Sequence, residues 1–448
     1  MKRFGRVNRL TALIIAAISI MLQQNISVAA TCPCDIYAAA GDTCVAAHST
    51  VRLLLSTYTG PLYQVRRSSD NTTKDIYTVS GGTAADGPSQ DAFCSGTCVI
   101  TKIYDQSGHG NFLEYQGAGS SVGGQDQPAN ATSETFSLSG HKVYSLYINP
   151  GNSYWRNGST THMPLGSAPE GMYMVTAGNH YNGGCCYDYG NSETTRAYAG
   201  AGAMDALSFT SITSWGTGAG NGPWIMADLE AGIFSQGAGG KNNNDPTQTS
   251  RYVTAVLKNN GTSTFALKGG NAQSGGLTTY YNGALPSGGW TPMKKQGAIV
   301  LGSGGDCCNT NTNMSDGTFY EGAIVSGYPS DATENSVQAN IVAAGYGSTS
   351  QVTWYNAGGA ATAPLFKVNY NPSMSAAIIS YTLQDARRVS MNIFNQQGRH
   401  VAAIVNGVMP AGRHDAVWDA KLIRAGVYIC RTAIDGLEGW TGKIVVEK

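Results

Sequence analysis

The chain of 448 residues holds 58 glycines and 24 tyrosines, and only 12% of it is charged, with 28 basic side chains against 28 acidic. Glycine at about one position in eight is nearly double ordinary usage, and the charge is about half of it, which excludes helical bundles and coiled coils as the main architecture. A hydrophobic content of 42% can fill a core, so disorder is excluded too; what is left is a turn-rich, all-β chain long enough for two or three domains.

The first predicted element is a signal peptide over residues 1–30. Lys2, Arg3, Arg6 and Arg9 precede an apolar run from Leu10 to Leu22, and Ser27-Val28-Ala29-Ala30 offers small residues for cleavage. The run is short for a membrane span and no later segment reaches about 18 apolar residues. The mature chain is therefore expected to be exported, with no membrane span. Residues 31–365 hold 14 basic and 22 acidic side chains, a net of −8, whereas residues 366–448 hold 10 and 6. An acidic body with no basic cluster argues against nucleic acid as a partner. A neutral polymer or small molecule fits better.

From Cys34 to about Gly345 the chain shows short β-like runs broken by Gly, Asn, Asp and Ser, such as Gly171 to Val175 and Gly297 to Leu301. Arg251 to Lys258 and Ser263 to Lys268 flank Asn259-Asn260-Gly261-Thr262, a hairpin signal. Strands at this spacing predict a β-sandwich over residues 31–346. One helix is predicted late, with Asp331 and Glu334 as a capping box ahead of Val337, Ile341 and Val342, and Gly345 as its stop. Residues 347–365 read as a linker. Residues 366–448 alternate apolar and polar side chains, as in Val389 to Phe394, and predict a small immunoglobulin-like sandwich.

Export makes disulfides the default for the ten cysteines. Cys34 and Cys44 flank a short polar loop, and Cys94 and Cys98 can close a tight one. The doublets Cys185-Cys186 and Cys307-Cys308 lack the two-residue gap of a zinc site, so no metal is expected. Each doublet can bond internally or pair elsewhere, doublet to doublet. The pairing of Cys32 and Cys430 is open.

Carboxylates are scarce in the body, and three stand in apolar or glycine-rich surroundings. Gly222 to Glu230 reads as a strand, which sends Asp228 and Glu230 out of the same face one pleat apart. Two like charges beside Trp224, Ile225 and Met226 raise a carboxyl pKa unless a ligand or hydrogen bonds receive them. The plain alternative is a solvated sheet face. Asp306 ends the run Leu301-Gly302-Ser303-Gly304-Gly305-Asp306 and is either a reactive acid or a loop residue bonded to its own turn. Trp215 is either a stacking platform for a sugar or core. Asp105 to Asn111 lacks the spacing of a calcium loop and reads as a tight connection. With no His-x-x-x-His pair and no Gly-x-Ser-x-Gly elbow, the best-supported chemistry is a carboxylate pair at a sugar ring, as in glycoside hydrolysis, with no cofactor.

At these residues the body resembles glycoside hydrolase family 54, the α-L-arabinofuranosidases. Similar segments are Ile103 to Gly108, His180 to Asn182 ahead of Cys185 to Asn191, Gly222 to Glu230, Gly302 to Asp306 and Gly317 to Gly322. The resemblance covers about residues 31–346 and implies a concanavalin-like jelly-roll sandwich that releases terminal arabinofuranose from arabinoxylan, arabinan or arabino-oligosaccharides with retention of configuration. Carried over by position, it implies Glu230 as nucleophile and Asp306 as general acid/base. It further implies Asp228 as a sugar-hydroxyl ligand, with Trp215, Gly305 and an internally bonded Cys185-Cys186 lining the sugar. It implies disulfides Cys34–Cys44 and Cys94–Cys98. A monomer is expected. Two departures stand out: Ala231 follows the nucleophile where family members often have Asn, and Cys307-Cys308 lies outside the pattern.

The ending resembles the C-terminal sorting domain of type IX secretion cargo of bacteria, through Ser380 to Leu383, Asn395 to Gly398 and Ala425 to Tyr428. That implies secretion machinery as a partner and a secreted or cell-surface location. Rival readings are a non-catalytic sugar-binding sandwich, a structural surface protein, and a related pentosidase such as a β-xylosidase or galactofuranosidase.

Overall fold

The computed structural model describes residues 32–116, 126–302, 315–347 and 366–446, the last stretch with gaps at 372–374, 384–385, 397 and 435–436. The expected signal peptide, and the expected linker beyond its first residue, lie outside the described residues.

The body is an all-β sandwich. One sheet has seven strands, with Thr43–Ser49, Gly317–Ser326, Glu170–Ala177, Tyr252–Asn259, Thr264–Asn271 and Ser274–Ala284 side by side and Leu146–Ile148 added on Gly317–Ser326. The other has ten, running from Ile233–Phe234 through Trp224–Asp228, Asp205–Thr210, Asp188–Ser192, Ala298–Gly302 and Ser153–Asn157 to Thr73–Ile76 at the far edge. Neighbours pair antiparallel in both. The expected runs at 171–175 and 297–301 are both strands, and the hairpin forms with Asn259 opposite Phe265. Gly261 supplies the positive φ of +78° that this turn needs.

Period-2 alternation assigns the two faces of the ten-stranded sheet. Along Trp224–Asp228, Ile225 and Ala227 enter the main core together with Leu207, Phe209, Tyr189, Ile299 and Leu301 of the neighbouring strands. Trp224 and Met226 face the other way, into a separate small cluster with Cys186, Ile212 and Ile233. Asp228 shares that second face. The strands lie close at one point: a Cβ on Gly190 would sit 2.5 Å from the Ala206 Cα, so only glycine fits.

Around the seven-stranded sheet the buried charges are paired, as burial demands. Arg52 holds Glu321 through two hydrogen bonds, and the Tyr346 hydroxyl donates to the same carboxylate at 2.7 Å. The late helix is Asp331–Ala343, and its cap differs from expectation. Ser330 is the N-cap, its hydroxyl accepting from the Thr333 amide, whereas Asp331 and Glu334 turn to the sheet and pair with Lys258 and Lys268. An acid facing two buried ammoniums gains more there than at a backbone amide. Two seven-residue helices, Pro33–Ala39 and Gly87–Phe93, were not expected; each starts beside a proline at the first turn.

Residues 366–446 form two further sheets, of three and four strands, around a core of their own that includes Val368, Ile379, Tyr381, Met391, Ile393, Trp418 and Ile444. Two small antiparallel sheets match the predicted immunoglobulin-like sandwich in kind. Among the described residues no helix is long and apolar enough to cross a membrane.

Candidate active site

Three side chains converge on the outer face of the ten-stranded sheet. The Cys186 sulfur and one carboxylate oxygen each of Asp188 and Asp228 lie within 4.8 Å of one another, all buried. The register explains the meeting. Asp188 stands opposite Ser208, and Ser208 opposite Met226, two residues before Asp228 on the same face. Cys185 and Cys186 are bonded to each other across a cis peptide, and the bond packs on Trp224, Met226, Ile212 and Ile233. The doublet thus closes on itself, and its sulfur surface stands beside two acids. Because Cys186 is disulfide-bonded it offers no thiolate, which argues against this trio as a metal centre.

Glu230 is not on the strand. Strand periodicity predicts it one pleat beyond Asp228, but the strand ends at Asp228 and turns back. Asp228 pairs with Ile233 and Ala227 with Phe234, which leaves Leu229 opposite Gly232 and makes Glu230-Ala231 a two-residue hairpin loop. Both loop residues have positive φ, +60° and +58°, as a type I′ turn requires. Asn-Gly is the usual occupant of such a turn; here neither residue is a turn former. The corner is instead tied down by its surroundings. The Leu229 amide donates to the Gly232 carbonyl at 3.1 Å, and the Leu229 carbonyl accepts from the Gly202 amide at 2.8 Å. The Glu230 amide donates to Asp228 Oδ1 at 3.0 Å, and its carbonyl accepts from the Trp290 indole N–H at 2.8 Å. Glu230 and Asp228 are buried, at 3% and 6% exposure, so neither is part of a solvated sheet face.

Trp215 is 38% exposed, which overturns the core alternative. It precedes strand Gly216–Ala219, whose first residue lies beside Ile233, the partner of Asp228. Asp306, Gly305 and the doublet Cys307-Cys308 lie outside the described residues. The strand leading toward them ends at Gly302, which is opposite Asp188. On the other side of that segment, Asp316 accepts from Asn182 Nδ2 at 2.9 Å, and Asn182 Oδ1 accepts from the Gly184 amide just ahead of the disulfide. His180 stacks on Tyr147 at 3.8 Å, and its burial lowers its pKa.

The remaining sequence expectations are met in part. Cys34–Cys44 and Cys94–Cys98 are bonded. Cys430 is a buried thiol, pushed up to about 12 by desolvation. Asp105 is a connector: its carboxylate accepts from the amides of Ala47, Ser107 and Asn111.

Residues 33–347 match the family model described as alpha-L-arabinofuranosidase B, catalytic. The chain belongs to this family. It is 52% identical over 334 residues to alpha-L-arabinofuranosidase B of Emericella nidulans, covering 73% of this chain and 64% of that one. It is 53% identical over 326 residues to a Trichoderma koningii protein named arabinofuranosidase/B-xylosidase, covering 71% and 64%. The chain thus spans less than two thirds of the length of these curated relatives. Among solved structures, an arabinofuranosidase complexed with arabinofuranosyl-alpha-1,2-xylobiose superposes with a TM-score of 0.67 at 44% identity, over 79% of this chain and 73% of that one. A GH54 α-L-arabinofuranosidase soaked with a cyclic sulfate inhibitor gives the same TM-score at 45% identity, over the same shares.

Two residues at this cluster, Asp188 and Trp290, carry no role in the sequence analysis. Asp188 lay within a quoted segment, but only the strand register brings it to Asp228. Trp290 lies 60 residues from Glu230 in the chain, and its only local cue is the turn-like Gly288-Gly289-Trp290-Thr291-Pro292.

Proposed function

We propose that the chain is an exported, retaining α-L-arabinofuranosidase that removes terminal arabinofuranose from arabinoxylan, arabinan or arabino-oligosaccharides. One observation carries this reading: a buried glutamate at a hairpin apex, adjoining a second buried carboxylate and a vicinal disulfide, in a chain of this family. Glu230 attacks the anomeric carbon while Asp306 protonates the departing glycosidic oxygen, giving an arabinofuranosyl ester on Glu230. Asp306 then takes a proton from the water that cleaves the ester. Asp228 receives a sugar hydroxyl, the disulfide and Trp215 flank the ring, and Gly305 adjoins it. Retention requires the Glu230 and Asp306 carboxyls to lie about 5–5.5 Å apart.

Residues 1–30 serve as signal peptide, 31–346 as the catalytic domain, 347–365 as linker and 366–448 as a sorting module that engages type IX secretion machinery. The enzyme acts outside a bacterial cell or at its surface, as a monomer without metal or cofactor.

A β-xylosidase activity is a second reading, because the Trichoderma koningii relative carries both activities in its name. A panel of 4-nitrophenyl glycosides tests both. Turnover of the α-L-arabinofuranoside that Glu230→Gln abolishes supports the first reading, and preference for the β-D-xyloside supports the second. Sugar binding without turnover on any member contradicts both and leaves a non-catalytic binding protein.

A further inference from the structure

We propose that Trp290 is the positioning residue for the Glu230 nucleophile, acting through the backbone; this rests on the reading of Glu230 given above. Among the described residues four hydrogen bonds hold the corner Leu229–Gly232, two of them from side chains. Asp228 takes the Glu230 amide and Trp290 donates to the Glu230 carbonyl, so the two peptide groups flanking the nucleophile's Cα are each held by one side chain. This matters because Glu230 and Ala231 both sit at positive φ, a conformation that strains any residue but glycine. Neither supplies the Asn or Gly preference that would make the turn fold by itself. A loop held against its own preference keeps its geometry through its partners, and the Trp290 indole is the one that holds the Glu230 carbonyl among the described residues.

The indole is itself fixed. Its ring meets Phe234 edge-on, with centroids 5.2 Å apart and an interplanar angle of 81°. Phe234 is the residue opposite Ala227 on the returning strand of the same hairpin. Trp290 therefore braces the return strand by packing and the apex by a hydrogen bond. Loss of the N–H frees the Glu230 peptide to rotate, which swings the side chain that must meet the anomeric carbon. Misplacement of a reacting group by about 1 Å costs on the order of 100-fold in rate.

The test uses the full chain with Trp290→Phe, Trp290→Ala and Glu230→Gln, assayed on 4-nitrophenyl α-L-arabinofuranoside with thermal unfolding measured in parallel. Trp290→Phe keeps an aromatic ring against Phe234 and deletes only the donor. The expected result is a kcat lower by about 10- to 100-fold, with KM within about twofold and Tm near that of the parent. The rate of inactivation by an electrophilic arabinofuranose-configured cyclic sulfate should fall by the same factor. In that reaction the carboxylate opens the C–O bond of the cyclic sulfate, and the sulfate stays on the sugar, so no general acid is needed. If Trp290→Phe retains full kcat and only Trp290→Ala is impaired, the ring acts by packing alone and the proposal fails. If Trp290→Phe loses kcat only together with Tm and with a raised KM, the role is structural and the proposal also fails. If Glu230→Gln keeps more than a trace of activity, the nucleophile reading itself is wrong and this inference falls with it.

Discussion

Asp245 gives the account a test in which the size of the effect comes from the fold. It lies on Gly240–Pro246, the strand that runs parallel to Gly216–Ala219 beside Trp224, and it is fully buried. Packing there is close: a Cβ on Gly218 would stand 2.2 Å from both the Asp245 carbonyl and the Trp224 ring. Burial pushes the Asp245 carboxyl up from 3.8 to about 8, and the Ile225 backbone N–H offsets only part of that. The sign follows from linkage. Below about pH 4 both folded and unfolded chains carry the proton, and the group has no effect. Between about 4 and 8 the unfolded chain has released the proton and the folded chain has not, so stability falls as pH rises. Above about 8 the loss is complete, at roughly 6 kcal/mol. Some 4 kcal/mol of it falls between pH 5 and pH 8. Asp245→Asn removes the titration and keeps the shape, and every other titrating group cancels in the comparison with the parent. The stability of Asp245→Asn minus that of the parent, from urea unfolding, should therefore grow by about 4 kcal/mol from pH 5 to pH 8. A difference that stays flat across that range refutes the claim that Asp245 is buried with its proton.

Three further outcomes follow from the site. Ala231→Gly should raise stability by about 1 kcal/mol, because glycine takes the positive φ at no steric cost; a loss of stability on urea unfolding would show that Ala231 is not in that conformation. The double change Cys185→Ser with Cys186→Ser should raise KM for arabinofuranosides about tenfold by removing an apolar wall worth about 1–2 kcal/mol, and an unchanged KM would remove the disulfide from the sugar site. Asp228→Ala deletes the acceptor of the Glu230 amide as well as a proposed sugar ligand, so kcat should fall by at least about 100-fold; a drop in affinity alone would confine Asp228 to sugar binding.

What the sequence made legible was what depends on local chemistry. Strands bounded by turn formers were readable by their period, and so was the hairpin at Gly261, whose positive φ is written in its own residue type. The hairpin that carries Glu230 was not readable, because Glu and Ala have no preference for that turn. Gly202 and Trp290 impose it from elsewhere in the chain, together with Asp228 at its base. Strand periodicity therefore ran two residues too far. The helix start failed for a related reason: Asp331 and Glu334 look like caps locally, but Lys258 and Lys268 claim them. Asp188 joined the site through the register of three strands, which no local pattern encodes. Even the doublet Cys185-Cys186 took its internal pairing from the family resemblance, since its spacing alone left both outcomes open.

The central claim is that Glu230 at the hairpin apex forms the covalent bond to the sugar. Trapping the enzyme with an arabinofuranose-configured cyclic sulfate, followed by proteolysis and peptide mass mapping, tests it most directly. One added sugar per chain is expected, on Glu230, and no label in Glu230→Gln. A label on Asp228, on Asp188 or on any other residue would contradict it.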